Sequence, residues 1–128
     1  MPKRKSHSIL IAIGALVLFI STLLGAYGNH SLNGSVDAQS WNAYQIAVEY
    51  QFYYGLGITI VGIVAKFYPE SKLVLASGWL LFLGVVVFSG SIYLTSFTGL
   101  KGINLLAPVG GLCMMAGWLS LVAGVFKK

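Results

Sequence analysis

The sequence predicts an all-α integral membrane protein: a compact antiparallel bundle of four transmembrane helices with both termini cytoplasmic. Three observations predict it. The 128-residue chain is 57% hydrophobic and only 9% charged, with a mean hydropathy of +0.83. Soluble domains carry about 25% charged residues, so this chain has too little charge to cover a water-facing surface. Four apolar runs each supply the roughly 20 residues that a helix needs to cross a bilayer core. The bases are also sorted: Lys3, Arg4, Lys5, Lys66, Lys72, Lys127 and Lys128 fall on one side of the four spans, and Lys101 alone on the other. Lysine and arginine in short loops concentrate on the cytoplasmic side. The length fits one domain.

The first span is Ser8 to Tyr27, "SILIAIGALVLFISTLLGAY". Its basic leader and the "AYG" at Ala26 to Gly28 also fit a signal peptide. The apolar run exceeds the roughly 7–15 residues of a signal core, so an uncleaved span is expected. A polar connection, "GNHSLNGSVDAQS", follows, with Asp37 as the N-cap of the next helix. That second helix spans about residues 47–65. It should begin before the bilayer, with an amphipathic first part on the outer surface carrying Trp41, Tyr44 and Val48 at helical spacing. The third span covers about residues 73–96 and the fourth about 105–126. The connections "KFYPESK" and "FTGLKGIN" are short, which makes successive helices antiparallel neighbours. Pro108 falls at the start of the fourth helix, where a missing N–H costs little. Tyr27, Trp41, Tyr44, Tyr68 and Phe126 lie near span ends and read as interfacial anchors.

Lipid tails are as apolar as leucine, so helices in a bilayer associate through close packing and internal hydrogen bonds, and small residues permit the approach. The 16 glycines are spaced accordingly. Gly14, Ser21 and Gly28 are seven apart, as are Gly55 and Gly62, and Ser77, Gly84 and Ser91. On the fourth span Gly110, Cys113, Gly117, Ser120 and Gly124 form one stripe. A seven-residue repeat keeps a seam facing its partner. Cys113, the single cysteine, reads as a small packing residue in that stripe.

Polar residues inside the spans are the candidates for function. Twenty residues back from Lys66 reaches Ile46, which sets Glu49 about one turn inside the outer boundary. An acidic residue costs on the order of 2.5–3.5 kcal/mol at the bilayer centre and less toward the interface. Lys101 and His30 are the outer cations, and Glu49 is expected to pair with Lys101. The third span carries a second polar island, "FSGSIYLTSFTG", residues 88–99. Its hydroxyls can bond back to carbonyls of their own helix, which accounts for Ser89, Ser91 and Thr95 with no further role. The alternative is an outward-facing polar pocket lined by Asn29, His30, Glu49, Gln51, Ser89, Ser91 and Tyr93.

Four motifs resemble one family: "GAYGNHSL" (Gly25 to Leu32), "AVEYQFYYGL" (Ala47 to Leu56), "FSGSIYLTSFTG" and "APVGGLCMMAGW" (Ala107 to Trp118). The chain resembles the YgdD-like group of small four-span membrane proteins, a domain of unknown function (number 423) related to the transmembrane protein 256 group of animals. The likeness runs in order over nearly the whole chain. It departs at Tyr54, where the family has histidine, at Gly55 for alanine and at Ala107 for threonine. The resemblance implies a fold and a membrane location, and no established reaction.

The function classes follow. The chain shows no catalytic triad spacing and no phosphate loop, and Asp37, Glu49 and Glu70 do not pair, so no enzyme is expected. A lone histidine makes a poor zinc site, and neither a metal nor a cofactor is expected. The bases flank apolar runs instead of forming a basic face, which argues against nucleic acid. The expected surroundings are the lipid bilayer of the cell membrane and a membrane protein partner or further copies of the chain. The leading reading is a structural, assembly or regulatory component. The alternative is a small transporter or channel, or a lipid- or quinone-binding protein, using the polar pocket around Glu49 and Gln51.

Overall fold

The computed structural model describes residues 2–99 and 102–126, and all their regular structure is helical. Four long helices are present: α1 (Pro2–Tyr27), α2 (Ala38–Phe67), α3 (Lys72–Thr98) and α4 (Ala107–Phe126). Among the described residues these four are long and apolar enough to cross a membrane. They lie at the expected spans but run longer at several ends. The 30 residues of α2 amount to about 45 Å of helix, well beyond a hydrocarbon core of about 30 Å.

Local chemistry sets the ends. A π turn, Gly28–Leu32, closes α1, with the Asn33 N–H on the Gly28 carbonyl at 2.9 Å. Asp37 occupies the N-cap of α2 with extended backbone. The Ser40 hydroxyl beside its carboxylate holds the Asp37 pKa below its ordinary value. Ser71 caps α3, accepting from the Val74 N–H, and donates to the Gly124 carbonyl of α4, both at 3.2 Å. Gly99 ends α3 at φ 72°, the left-handed conformation that favours glycine there. A 3₁₀ turn, Ile103–Leu106, leads into α4, and Pro108 is the second residue of that helix.

The helices pack in chain order, α1 on α2, α2 on α3 and α3 on α4, with lighter contact between α1 and α3. Each pair is antiparallel. Gly14 and Gly62 let α1 and α2 touch: a Cβ on Gly14 would sit 2.7 Å from the Thr59 nitrogen, and one on Gly62 2.9 Å from that of Ile11. A Cβ on Gly110 would sit 2.7 Å from the Gly84 carbonyl oxygen and 2.5 Å from the Phe88 nitrogen, so α3 and α4 meet backbone to backbone. The seven-spaced small residues of α1 and its π turn, α2 and α3 are all buried. On α4 the buried seam is Gly110, Met114, Gly117 and Gly124. Cys113 is only half-buried, and Met114 takes the seam position expected of it. Ser120 does join the seam, donating to the Leu73 carbonyl at 2.7 Å.

α2 and α3 are the central helices: 39% of the apolar window of each is buried, against 22% for α1 and α4. Leu10, Ile58, Val61, Val74, Leu81 and Met114 form the core between them. The outward faces are apolar, as in Leu16, Phe19, Leu112 and Leu119, which suits contact with lipid.

Candidate functional site

The half of the bundle away from the chain termini holds the candidate site residues. An unpaired amide in hydrocarbon would cost several kcal/mol, so each must find a partner. Gln51, on α2, is 7% exposed. Its Nε2 donates to the Val17 carbonyl of α1 at 3.0 Å, and its Oε1 accepts from the Tyr93 hydroxyl of α3. One side chain thus joins three helices. A helical carbonyl has a second lone pair, so Val17 can accept without giving up its own helix bond.

Three further bonds cross between helices nearby. Ser89 Oγ donates to the Ala47 carbonyl at 2.8 Å, Ser21 Oγ to the Val48 carbonyl at 3.2 Å, and Tyr44 Oη to the Leu24 carbonyl. Tyr27, Tyr44, Tyr93 and Phe97 form a cluster of rings with centroids 5.5–6.4 Å apart, a separation at which aromatic pairs attract. Tyr44 is 1% exposed and belongs to the core. The expected interfacial anchor is therefore a helix tie, because the helix extends past it and α1 covers it.

The expected pocket is two separate sites. Gln51, Ser89 and Tyr93 line an apolar cavity of about 350 Å³ between α1 and α3, with Val17, Ile20 and Phe82 among its walls. Asn29 and Glu49 line a different groove of about 180 Å³ between the end of α1 and the first half of α2. Helix geometry explains the split: residues two apart lie about 200° apart around a helix, so Glu49 and Gln51 face opposite ways. The same rule separates Ser89 and Tyr93 from Ser91, which is buried and bonds back to the Phe88 carbonyl at 2.9 Å. Thr95 likewise bonds its own helix, whereas Ser89 does not. His30 is exposed in the π turn and lines neither site. Lys101, the expected partner of Glu49, lies outside the described residues.

Among the described residues no three of His, Cys, Asp and Glu come close enough to hold a metal ion. Tyr54, at the position where the resemblance expected histidine, accepts from Trp118 Nε1 of α4 at 3.1 Å, with rings 5.8 Å apart. This link between α2 and α4 was not anticipated, nor was the role of Tyr44. Both are bonds between distant residues, and single-helix spacing carries no signal for them.

Fold and site together define a small four-span membrane protein whose buried polar groups tie its own helices. Residues 24–111 match the family described as "Protein of unknown function (DUF423)", and the chain belongs to that family. It is 41% identical over 119 residues to a UPF0382 membrane protein of Staphylococcus haemolyticus (strain JCSC1435), covering 93% of this chain and 96% of the relative. It is 31% identical over 119 residues to the UPF0382 membrane protein YwdK of Bacillus subtilis (strain 168), covering 93% and 97%. No solved structure matches the chain.

Proposed function

We propose that the protein is a structural or assembly component of the cell membrane, inserted with both termini in the cytoplasm. One observation carries the reading. The polar side chains of the three-helix junction, Gln51, Ser89, Ser21 and Tyr44, are engaged in bonds that hold the bundle together. Transport or quinone binding through the cavity beside Gln51 would have to draw on the same amide and hydroxyls. The seven-to-one distribution of bases supports the orientation.

Native mass spectrometry of the protein released gently from its own membrane tests the role. A stoichiometric membrane protein partner is the expected result. A bare chain or homo-oligomer holding a defined small molecule would overturn it in favour of a binding role at the Gln51 cavity. Orientation has its own test in a Cys113→Ala background. A membrane-impermeant maleimide applied to intact cells should label Ser35→Cys and spare Pro69→Cys, and the reverse pattern would invert the topology.

A further inference from the structure

The groove beside Glu49 has a composition that the assembly role does not use. On α2, Trp41, Gln45 and Glu49 are spaced i, i+4, i+8 and share one face, and all three line the groove. Tyr44 and Val48 lie beside them, and α1 and its π turn contribute Gly25 and Asn29. The Trp41 and Tyr44 rings are nearly parallel, 13° apart with centroids at 5.9 Å, and because Tyr44 is buried the Trp41 ring is the one open to the groove. Tyr44 is held in place by its bond to the Leu24 carbonyl. Among the described residues the lining therefore offers one carboxylate, two amides and the partly exposed Trp41 ring, and none of its side chains is basic.

We propose that this groove binds a small alkylammonium group, with the Glu49 carboxylate as counter-ion and Trp41 as the principal aromatic contact. The chemistry selects the ligand. A carboxylate repels anions. A hard metal ion takes six or more oxygens in the case of calcium, beyond what one carboxylate and two amides supply. Organic cations are attracted to aromatic faces, tryptophan best, and quaternary ammonium ligands are recognised in this way. The groove's 180 Å³ equals about six water volumes at ~30 Å³ each, which suits an ethanolamine or trimethylammonium group. The expected depth of Glu49, about one turn inside the boundary, admits two sources of that chemistry: an aminophospholipid headgroup or a free organic amine. This inference goes beyond the assembly role and stands independently of it.

The test uses the full chain in nanodiscs of phosphatidylglycerol, which carries no amine. Tetramethylammonium and ethanolamine chlorides are titrated against sodium chloride at matched ionic strength. The readouts are the NMR shifts of the Trp41 indole N–H and the Asn29 and Gln45 side-chain amides. A saturable shift with the amines and none with sodium is expected. Glu49→Gln should weaken binding about tenfold or more, and Trp41→Leu should do so by a similar factor. A second series replaces phosphatidylglycerol with increasing phosphatidylethanolamine. A saturable shift from the lipid alone identifies a headgroup site, and one from the free amines alone identifies a soluble cation site. Absence of a saturable shift in both series overturns the proposal. So does a shift matched by sodium chloride or undiminished in Glu49→Gln. Glu49 is exposed, so its variant leaves the bundle folded and decides the outcome even where Trp41→Leu does not fold. The loss of a protein partner in the mass spectrum would leave these shifts untouched, which keeps the two readings separable.

Discussion

The α3–α4 interface and the α1–α2–α3 junction solve the same problem with the same two devices, glycine contact and interhelical hydrogen bonds, in different proportion. Neither can rely on the hydrophobic effect, because the surrounding lipid is as apolar as the helix surfaces. Along α3–α4, glycine removes the side chains and the backbones meet: Gly110 on Gly84 and Phe88, Gly117 on Leu81, Gly124 on Val74. At the junction the side chains stay and reach across, with Gln51 bridging Val17 and Tyr93. The first interface depends chiefly on shape, with one bond each from Ser71 and Ser120, and has little room to yield. The second depends on individual bonds, each of modest worth, and should degrade gradually.

The sharpest way to break that contrast is at adjacent glycines. Gly110→Ala places its Cβ against backbone that cannot rotate away. It should destabilise the bundle by about 2 kcal/mol, a typical overpacking cost. Gly111→Ala meets nothing within 4 Å and should be neutral or stabilising by about 0.5–1 kcal/mol through helix propensity. Reversible unfolding in detergent or bicelles measures both. Equal effects would mean that α3 and α4 are not in backbone contact.

Next comes the junction. Gln51→Ala removes two interhelical bonds, which average about 0.6 kcal/mol each in membrane proteins and reach about 1.7 at most. A loss of about 1–2 kcal/mol is expected. A double-mutant cycle with Tyr93→Phe should give coupling above about 0.5 kcal/mol, outside ordinary additivity error. Ser89→Ala should cost about 0.6 kcal/mol and Ser91→Ala close to nothing, because Ser89 bonds α2 whereas Ser91 bonds its own helix. Indistinguishable serine variants would remove the distinction between a cross-tie and a local bond.

The smallest effect is at Asp37. Its pKa is lowered on folding, chiefly by the Ser40 hydroxyl. Its stabilisation of the α2 start is therefore complete above the unfolded pKa and is lost as pH falls through the lower folded value. Protection of the amides at residues 39–41, taken relative to intrinsic exchange at each pH, should fall only under such acid conditions, and Asp37→Asn should flatten the response.

The polar island of α3 shows how far the sequence could be read. Local back-bonding was one expectation for Ser89, Ser91 and Thr95, and it describes Ser91 and Thr95. Ser89 has the same residue type and the same apolar neighbourhood, yet it crosses to α2. What separates them is which side of α3 faces the Ala47 carbonyl, a fact of helix packing. The pocket expected around Glu49 and Gln51 divided for a reason already present in the sequence: two residues apart on a helix means nearly opposite faces. Tyr44 looked like an anchor because it lies near the end of an apolar run, and only the cover that α1 provides makes it core.

The sequence by itself determined the class of protein, its four helices and the small-residue stripes through which they meet. Charge content, apolar run length and seven-residue spacing are properties of the chain that hold in any packing. The order in which the polar groups pair was decided by the tertiary structure alone. A glutamine in an apolar run must be satisfied somewhere, but whether by Val17, by Tyr93 or by both depends on how three helices are rotated and shifted against one another, and that is fixed only when all of them are packed.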